Sequence, residues 1–294
     1  GADLAGLYYL RTIADSEAIR DAAANAKTAV VVGGGFIGCE LAASLTQKGV
    51  AVSLLLSGAV LLDKQIGNPA GQFLTDTFRA KGVTLVTGER AAEFVGADGR
   101  VRAVKAESGR EFPCDIALVG IGIGRNTALA EAAGLKVDNG ILVNEYLQTS
   151  DPDIYAAGDV AAFFDPRLGR VMRIEHWDNA VAQGKTAGAN MAGAGEAYDH
   201  IHYFFSDMFD LSFNAYGDMY EWNEVIERVP ADGGPGARAF FYLQDGKLKA
   251  SLLVNTSKTG KIQKALASAA PLLSEADRKR YADPGVPLEE LVPA

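Results

Sequence analysis

Residues 28–56, TAVVVGGGFIGCELAASLTQKGVAVSLLL, constrain this chain more than any other stretch. A run of apolar residues at 29–32 has the composition of a strand buried on both faces, and it passes directly into Gly33-Gly34-Gly35-Phe36-Ile37-Gly38. A helical period follows, with Ile37, Leu41, Ala42 and Leu45 on one face; Gly49 stops it, and residues 50–56 read as a second buried strand. Strand, glycine turn, helix and parallel strand in this order make a βαβ unit.

The turn carries the spacing G-x-G-x-x-G, and each glycine has its own reason to be there. Gly33 permits the tight turn, Gly35 lets the backbone come close to a pyrophosphate, and Gly38 lets the helix pack against the strand. The exposed N–H groups and the positive end of the helix dipole then face an anion, with Phe36 and Ile37 in the first turn. The pattern points to dinucleotide binding, against the plainer reading of a structural glycine turn. An acidic residue that would hold the adenosine ribose belongs about 20 residues past the glycines. Leu55, Leu56, Ser57 and Gly58 stand there instead, with no carboxylate before Asp63 and no basic cluster to meet a 2′-phosphate. The reading favours NADH over NADPH only slightly.

The 294 residues suffice for two domains, and 48% hydrophobic with 22% charged residues is the make-up of a globular protein with an ample core. A net charge of −9 argues against a nucleic-acid partner, because phosphate backbones require clustered Lys and Arg. No apolar run approaches the roughly 20 residues that span a bilayer. Cys39 and Cys114 are far apart and form no C-x-x-C, which favours a reducing, cytoplasmic setting and removes a redox-active disulfide from residues 1–294.

Residues 1–27 read as a short strand and a helix, with Asp15 and Ser16 as its caps. Residues 57–70 form a loop, 71–80 a helix and 83–86 a third parallel strand. The period then changes to two: residues 93–95, 101–106, 110–112 and 116–119 read as an antiparallel meander that returns to the sheet. Gly120, Gly122 and Gly124 follow, placed either to admit the nicotinamide end of a ligand or to serve as a hinge. Next come a short helix at 128–133, strands at 141–143 and 154–157, and Gly158-Asp159, which taken alone is a turn or a contact to ligand hydroxyls. Glu175 and His176 stand just before a small-residue helix, where His176 is either a core residue or a ligand contact. His200 and His202 lack the further ligands of a metal site. Strands at 213–216, 225–229, 239–243 and 249–254 make an aromatic-rich antiparallel sheet, with residues 231–237 as a mobile tip. Lys258, Lys261 and Lys264 lie on a last helix as a solvated strip or a docking site for an acidic redox protein.

The motifs GGGFIGCELA, VGIGIGRN and TSDPDIYAAGDVA, in that order, resemble the pyridine-nucleotide-dependent flavoprotein reductases. The runs FFDPRLGRVMRIEHWDNAVAQGKTAGANMAG and YDHIHYFFSDMFDLSFNAYGD are similar to the apoptosis-inducing-factor-like branch, related to ferredoxin, rubredoxin and monodehydroascorbate reductases. This resemblance implies FAD and NAD(P)H as cofactors, with Gly158 and Asp159 in the second FAD motif, Asp159 on the ribitol, and Glu40 at the nicotinamide end. It also implies that Glu175 and His176 lie near flavin and nicotinamide, and that Phe205 stands beside the flavin. The expected architecture is α/β: a Rossmann-like NAD(P)-binding domain with an antiparallel meander (15–125), part of an FAD-binding domain (1–14 and 126–197), and an α+β C-terminal domain that can form a homodimer (198–294). Such reductases open with another G-x-G-x-x-G for the ADP half of FAD, absent from residues 1–294, so the chain reads as a piece that is inactive by itself. The expected function is transfer of electrons from NAD(P)H through FAD to a small redox protein or quinone; the alternative is an NAD(H)-responsive signalling module with incidental redox activity.

Overall fold

A computed structural model describes every residue except 232, 257 and 294. Residue 232, within the glycine-rich tip at 231–237, therefore lies outside the described residues. The first half is a parallel sheet. Strand β1 (Leu7–Tyr9) and helix α1 (Ile13–Ala23) lead to β2 (Thr28–Val32), α2 (Phe36–Gln47), β3 (Ala51–Leu56), α3 (Ala70–Ala80) and β4 (Thr84–Thr87). A meander of β5 (Ala91–Ala97), β6 (Arg100–Ala106) and β7 (Glu111–Pro113) then returns through β8 (Ile116–Val119), and the parallel order is β1-β8-β2-β3-β4. Leu7–Tyr9 thus belong to the sheet of the glycine-turn unit, ahead of the boundary at residue 15 drawn from the sequence. α1 is capped by Thr12, which forms a reciprocal capping box with Asp15, rather than by Asp15 and Ser16.

Parallel strands must be covered on both faces, which is why these segments are almost continuously apolar. Alternate residues sort to opposite sides. Val31, Leu54, Leu56, Ile116 and Leu118 face one core with α2 and α3, while Val30, Val32, Leu55 and Ala117 face another, closed by Val101, Val104 and Cys114 of the meander.

Helix α4 (Ala128–Ala132) leads to a small sheet of β9 (Val137–Asp138), β10 (Gly140–Val143), β11 (Ala161–Asp165) and β12 (Arg170–Met172), packed against α5 (Trp177–Met191). The strand expected at 154–157 does not form. Tyr155 makes only an isolated bridge to Gln148, Ile154 is exposed, and the strand lies further on, at Ala161–Asp165, beyond a 3-10 turn at Gly158–Val160. An extended segment without a neighbouring ladder is not a strand.

The C-terminal sheet is β13 (Tyr203–Met208), β14 (Leu211–Gly217), β15 (Glu224–Arg228), β16 (Arg238–Gln244) and β17 (Lys247–Val254), in the order β13-β14-β17-β16-β15. One face, with Phe204, Met208, Phe213, Phe240, Tyr242 and Leu252, enters the same core as α2 and α3. The other, with Phe241, Leu243 and Leu253, packs on α6 (Gly260–Ala269) and α7 (Glu275–Ala282). The basic strip is therefore followed by another helix, started by a Ser274–Asp277 capping box after Pro271 ends the previous run. Gly67 sits so tightly on Trp222 that a methyl group there would come within 2.5 Å of the indole, and the Tyr242 hydroxyl donates to the Ile66 carbonyl at 2.9 Å. Among the described residues, no helix is long and apolar enough to cross a membrane.

Candidate functional site

The glycine turn is built by backbone crowding. Gly33 has φ +113°, and a methyl group on it would lie 2.2 Å from the Gly120 carbonyl oxygen. One on Gly38 would lie 1.8 Å from the Gly33 oxygen, so the turn, the start of α2 and the end of β8 close on one another. Ile37 packs at the same junction, its Cγ2 3.5 Å from where a Gly120 Cβ would stand. Gly35 differs, because a methyl group there would meet only the Gln65 amide nitrogen, at 3.8 Å. As the N-cap of α2, Gly35 offers no side-chain cap, and the first turn holds no acid. The first N–H groups of α2 therefore face open space at the positive end of the helix, a cradle that fits a diphosphate. Gly122 has φ +116° and open space around it, as a backbone that approaches a ligand requires.

An aromatic series leads away from this turn. Phe36 meets Phe204 edge-on with ring centres 5.2 Å apart, and His176 also packs against Phe204, at 4.8 Å and 31°. His176 is the residue before α5, so Phe204 of the C-terminal sheet touches both the start of α2 and the start of α5. Burial, aided by the nearby His202, pushes the His176 imidazole down to about 4, against the opposing pull of Glu175 and Asp178. It is neutral at pH 7. Glu40, one turn into α2, accepts a hydrogen bond from the Ser206 hydroxyl at 2.5 Å.

The second motif is anchored from below. Gly158 has φ +79° and donates its N–H to the buried Gln183 side chain at 2.8 Å, while Asp159 projects to solvent with no side-chain partner among the described residues. Arg173 donates to the Asp159 carbonyl at 3.0 Å and to Glu175 at 2.5 Å, which fixes Gly158-Asp159 against the start of α5. The exposed Asp159 carboxylate, next to a glycine in the left-handed region, fits a polyol ligand, and the uncapped α5 N-terminus beside it fits an anion. Behind it, Asp165 is buried with His202 at 3.2 Å and Arg167 at 3.1 Å. Burial works to raise the Asp165 pKa, but the hydrogen bonds from these two residues prevail and hold it well below the usual carboxylate range.

The fold thus connects Gly33, Gly35, Phe36, Ile37, Gly38 and Glu40 with Glu175, His176, Gly158 and Asp159. Phe205 stands apart: strand alternation turns it away from Phe204 and Phe36, onto Tyr203 at 6.0 Å, with about half of its surface exposed. Ser206, Arg173 and Gln183 were not singled out from the sequence. Period-two alternation over residues 203–208 would have separated Phe204 from Phe205; Arg173 and Gln183 carry no sequence signal of their own.

A parallel sheet with a glycine turn, facing a second glycine-acid motif across an aromatic wall, defines a dinucleotide-dependent oxidoreductase. Comparison with known proteins gives the family. Residues 1–184 match the pyridine nucleotide-disulphide oxidoreductase model and residues 203–292 the reductase C-terminal model. The chain belongs to the pyridine nucleotide-disulphide oxidoreductase family, whose cofactors are FAD and NAD(P)H. It is 34% identical to putidaredoxin reductase CamA of Pseudomonas putida over 291 residues, covering 97% of this chain and 67% of that protein. Monodehydroascorbate reductase of Solanum lycopersicum is 30% identical over 296 residues, again 97% of this chain and 67% of the relative. The crystal structure of the ferredoxin reductase for the CYP199A2 system from Rhodopseudomonas palustris superposes with a TM-score of 0.92 at 30% identity, over 99% of this chain and 71% of that one.

Proposed function

We propose that this chain is the nicotinamide-binding and acceptor-side part of an FAD-dependent NAD(P)H oxidoreductase that passes electrons to a small ferredoxin-type protein. The contact series Phe36–Phe204–His176, continued through Glu175 and Arg173 to Asp159, carries the reading. It joins the diphosphate turn to the glycine-acid motif within one packed wall. The name of the Pseudomonas relative, a reductase of putidaredoxin, supports the choice of acceptor class.

When bound, the two cofactors supply the hydride and electron chemistry; the protein supplies position and a dry wall. Gly35 and the α2 N-terminus hold the diphosphate. Phe36 and Phe204 would exclude water, and the neutral His176 would bring no positive charge to the site. The Ser206 hydroxyl fixes Glu40 in one orientation. Gly158 and Asp159 would hold the polyol of FAD, with the exposed Trp177 next to His176 at the start of α5. The ADP half of FAD calls for a second glycine turn, which this reading assigns to sequence outside residues 1–294. The resemblance of the runs at 163–193 and 198–218 supports assigning the chain to the apoptosis-inducing-factor-like branch.

The test is anaerobic addition of NADH to the flavin-loaded protein. The yellow absorbance bleaches, and a [2Fe–2S] ferredoxin restores it faster than a quinone does. A flavoprotein indifferent to NADH and NADPH would overturn the proposal, and slow return with every acceptor would favour a nucleotide-responsive module.

A further inference from the structure

The end of β3 lacks the acid that grips an adenosine ribose in such a βαβ unit, since Ser57 and Gly58 occupy its place. The following loop supplies a carboxylate in space. The Leu62 N–H donates to the Gly34 carbonyl at 2.9 Å, Leu61 is tied to the Thr75 hydroxyl at 2.9 Å, and Leu62 takes a left-handed φ of +52°. This hairpin-like return is held by the burial of Leu61, Leu62 and Ile66. It lays Asp63 along the tip of β3, one carboxylate oxygen 3.3 Å from where a Gly58 Cβ would stand, and Gln65 beside Gly35. The Asp63 carboxylate is exposed and has no hydrogen-bond or ion-pair partner among the described residues. The other nearby acid, Glu89, follows a backbone bond to Leu56 but is already engaged by Ser108 at 2.8 Å and Arg110 at 3.5 Å.

We infer that Asp63 is the residue that selects the cofactor, its carboxylate accepting from the 2′-hydroxyl of NAD(H) and repelling the 2′-phosphate of NADP(H). The residue works from the loop because Gly58 leaves room for it beside the strand. The inference rests on the proposed nicotinamide site and deepens it.

The probes are NADH and NADPH themselves, titrated by nucleotide fluorescence into the wild-type protein, D63N, D63S and E89Q, with thermal melting to verify folding. Wild type binds NADH the more tightly. A hydrogen bond to a charged group leads us to expect D63N and D63S to weaken NADH roughly tenfold, while NADPH binding improves or holds. E89Q keeps the wild-type ratio. An unchanged NADH-to-NADPH ratio in folded D63N and D63S, or equal loss of both nucleotides, would overturn the role of Asp63 and leave the glycine-turn site standing. Wild-type protein that binds neither nucleotide would overturn both.

Discussion

The two halves of the proposed cofactor wall, the nicotinamide side and the flavin side, are built differently. On the nicotinamide side, the parallel sheet, α2, α3 and one face of the C-terminal sheet share a single core in which Phe78, Phe213, Phe240 and Tyr242 are fully enclosed. On the flavin side, a four-stranded sheet and α5 enclose a much smaller core around Phe163, Ile174 and Tyr198, and Leu129, Ile154, Trp177 and Met191 remain exposed. The first region is held by apolar burial; the second is held by polar anchors, Arg173 on Asp159 and Glu175, Gln183 on Gly158, and His202 and Arg167 on Asp165. Both sides carry a glycine turn open to a ligand, but only the first sets it on a large apolar core.

The same kind of truncation separates the two regions most strongly. Phe240→Ala opens a cavity in the shared core and is expected to cost about 3–5 kcal/mol. Because the parallel sheet and the C-terminal sheet share that core, the two lose structure in one urea transition at a lower midpoint; separate transitions for them would break the comparison.

Acid acts next, and on the polar side. The His176 pKa falls from 6.5 to about 4, so the unfolded chain takes up a proton that the folded one refuses. Stability is complete well above pH 6.5 and declines as pH falls through 4, by about 3 kcal/mol. His202, also lowered by burial, adds to the same slope, whereas Asp165 stays ionised through that range. H176N removes part of the slope in urea midpoints measured across pH 7 to 4.5. An identical slope in H176N would exclude His176 as its source.

Arg173→Ala leaves the Asp159 carbonyl and Glu175 without their shared donor. A loss of about 1–2 kcal/mol in stability is expected, with weaker flavin retention. Lysine at 173 restores little, because an ammonium cannot reproduce the guanidinium fork; full rescue by lysine would mean that charge alone matters. The smallest effect belongs to Ile154→Ser, on the segment that fails to pair. Its melting temperature should correspond to a change within about 0.5 kcal/mol, as for an exposed surface site.

The nicotinamide side was also the more legible from sequence. Residues 28–56 revealed strand, turn and helix because a parallel sheet buried on both faces demands uninterrupted apolar runs, and the meander disclosed itself through its turns at Asp98-Gly99 and Ser108-Gly109. On the flavin side, the apolar residues 154–157 mimicked a strand although no ladder receives them, while β11 and β12 were overlooked inside a run dense with Arg, Asp and Gly. Phe204 and Phe205 are adjacent and identical, and only the way the strand turns them makes one buried and the other half exposed. The loop carrying Asp63 was recognised as a loop, but its return to β3 depends on tertiary hydrogen bonds that no local pattern encodes.

The common core of the nicotinamide unit and the C-terminal sheet has a practical consequence for anyone who wishes to dissect the molecule. Cutting the gene after residue 197 would leave the nucleotide half with a bare greasy flank where Phe204, Phe240, Tyr242 and Leu252 had lain. Such a piece would clump during expression.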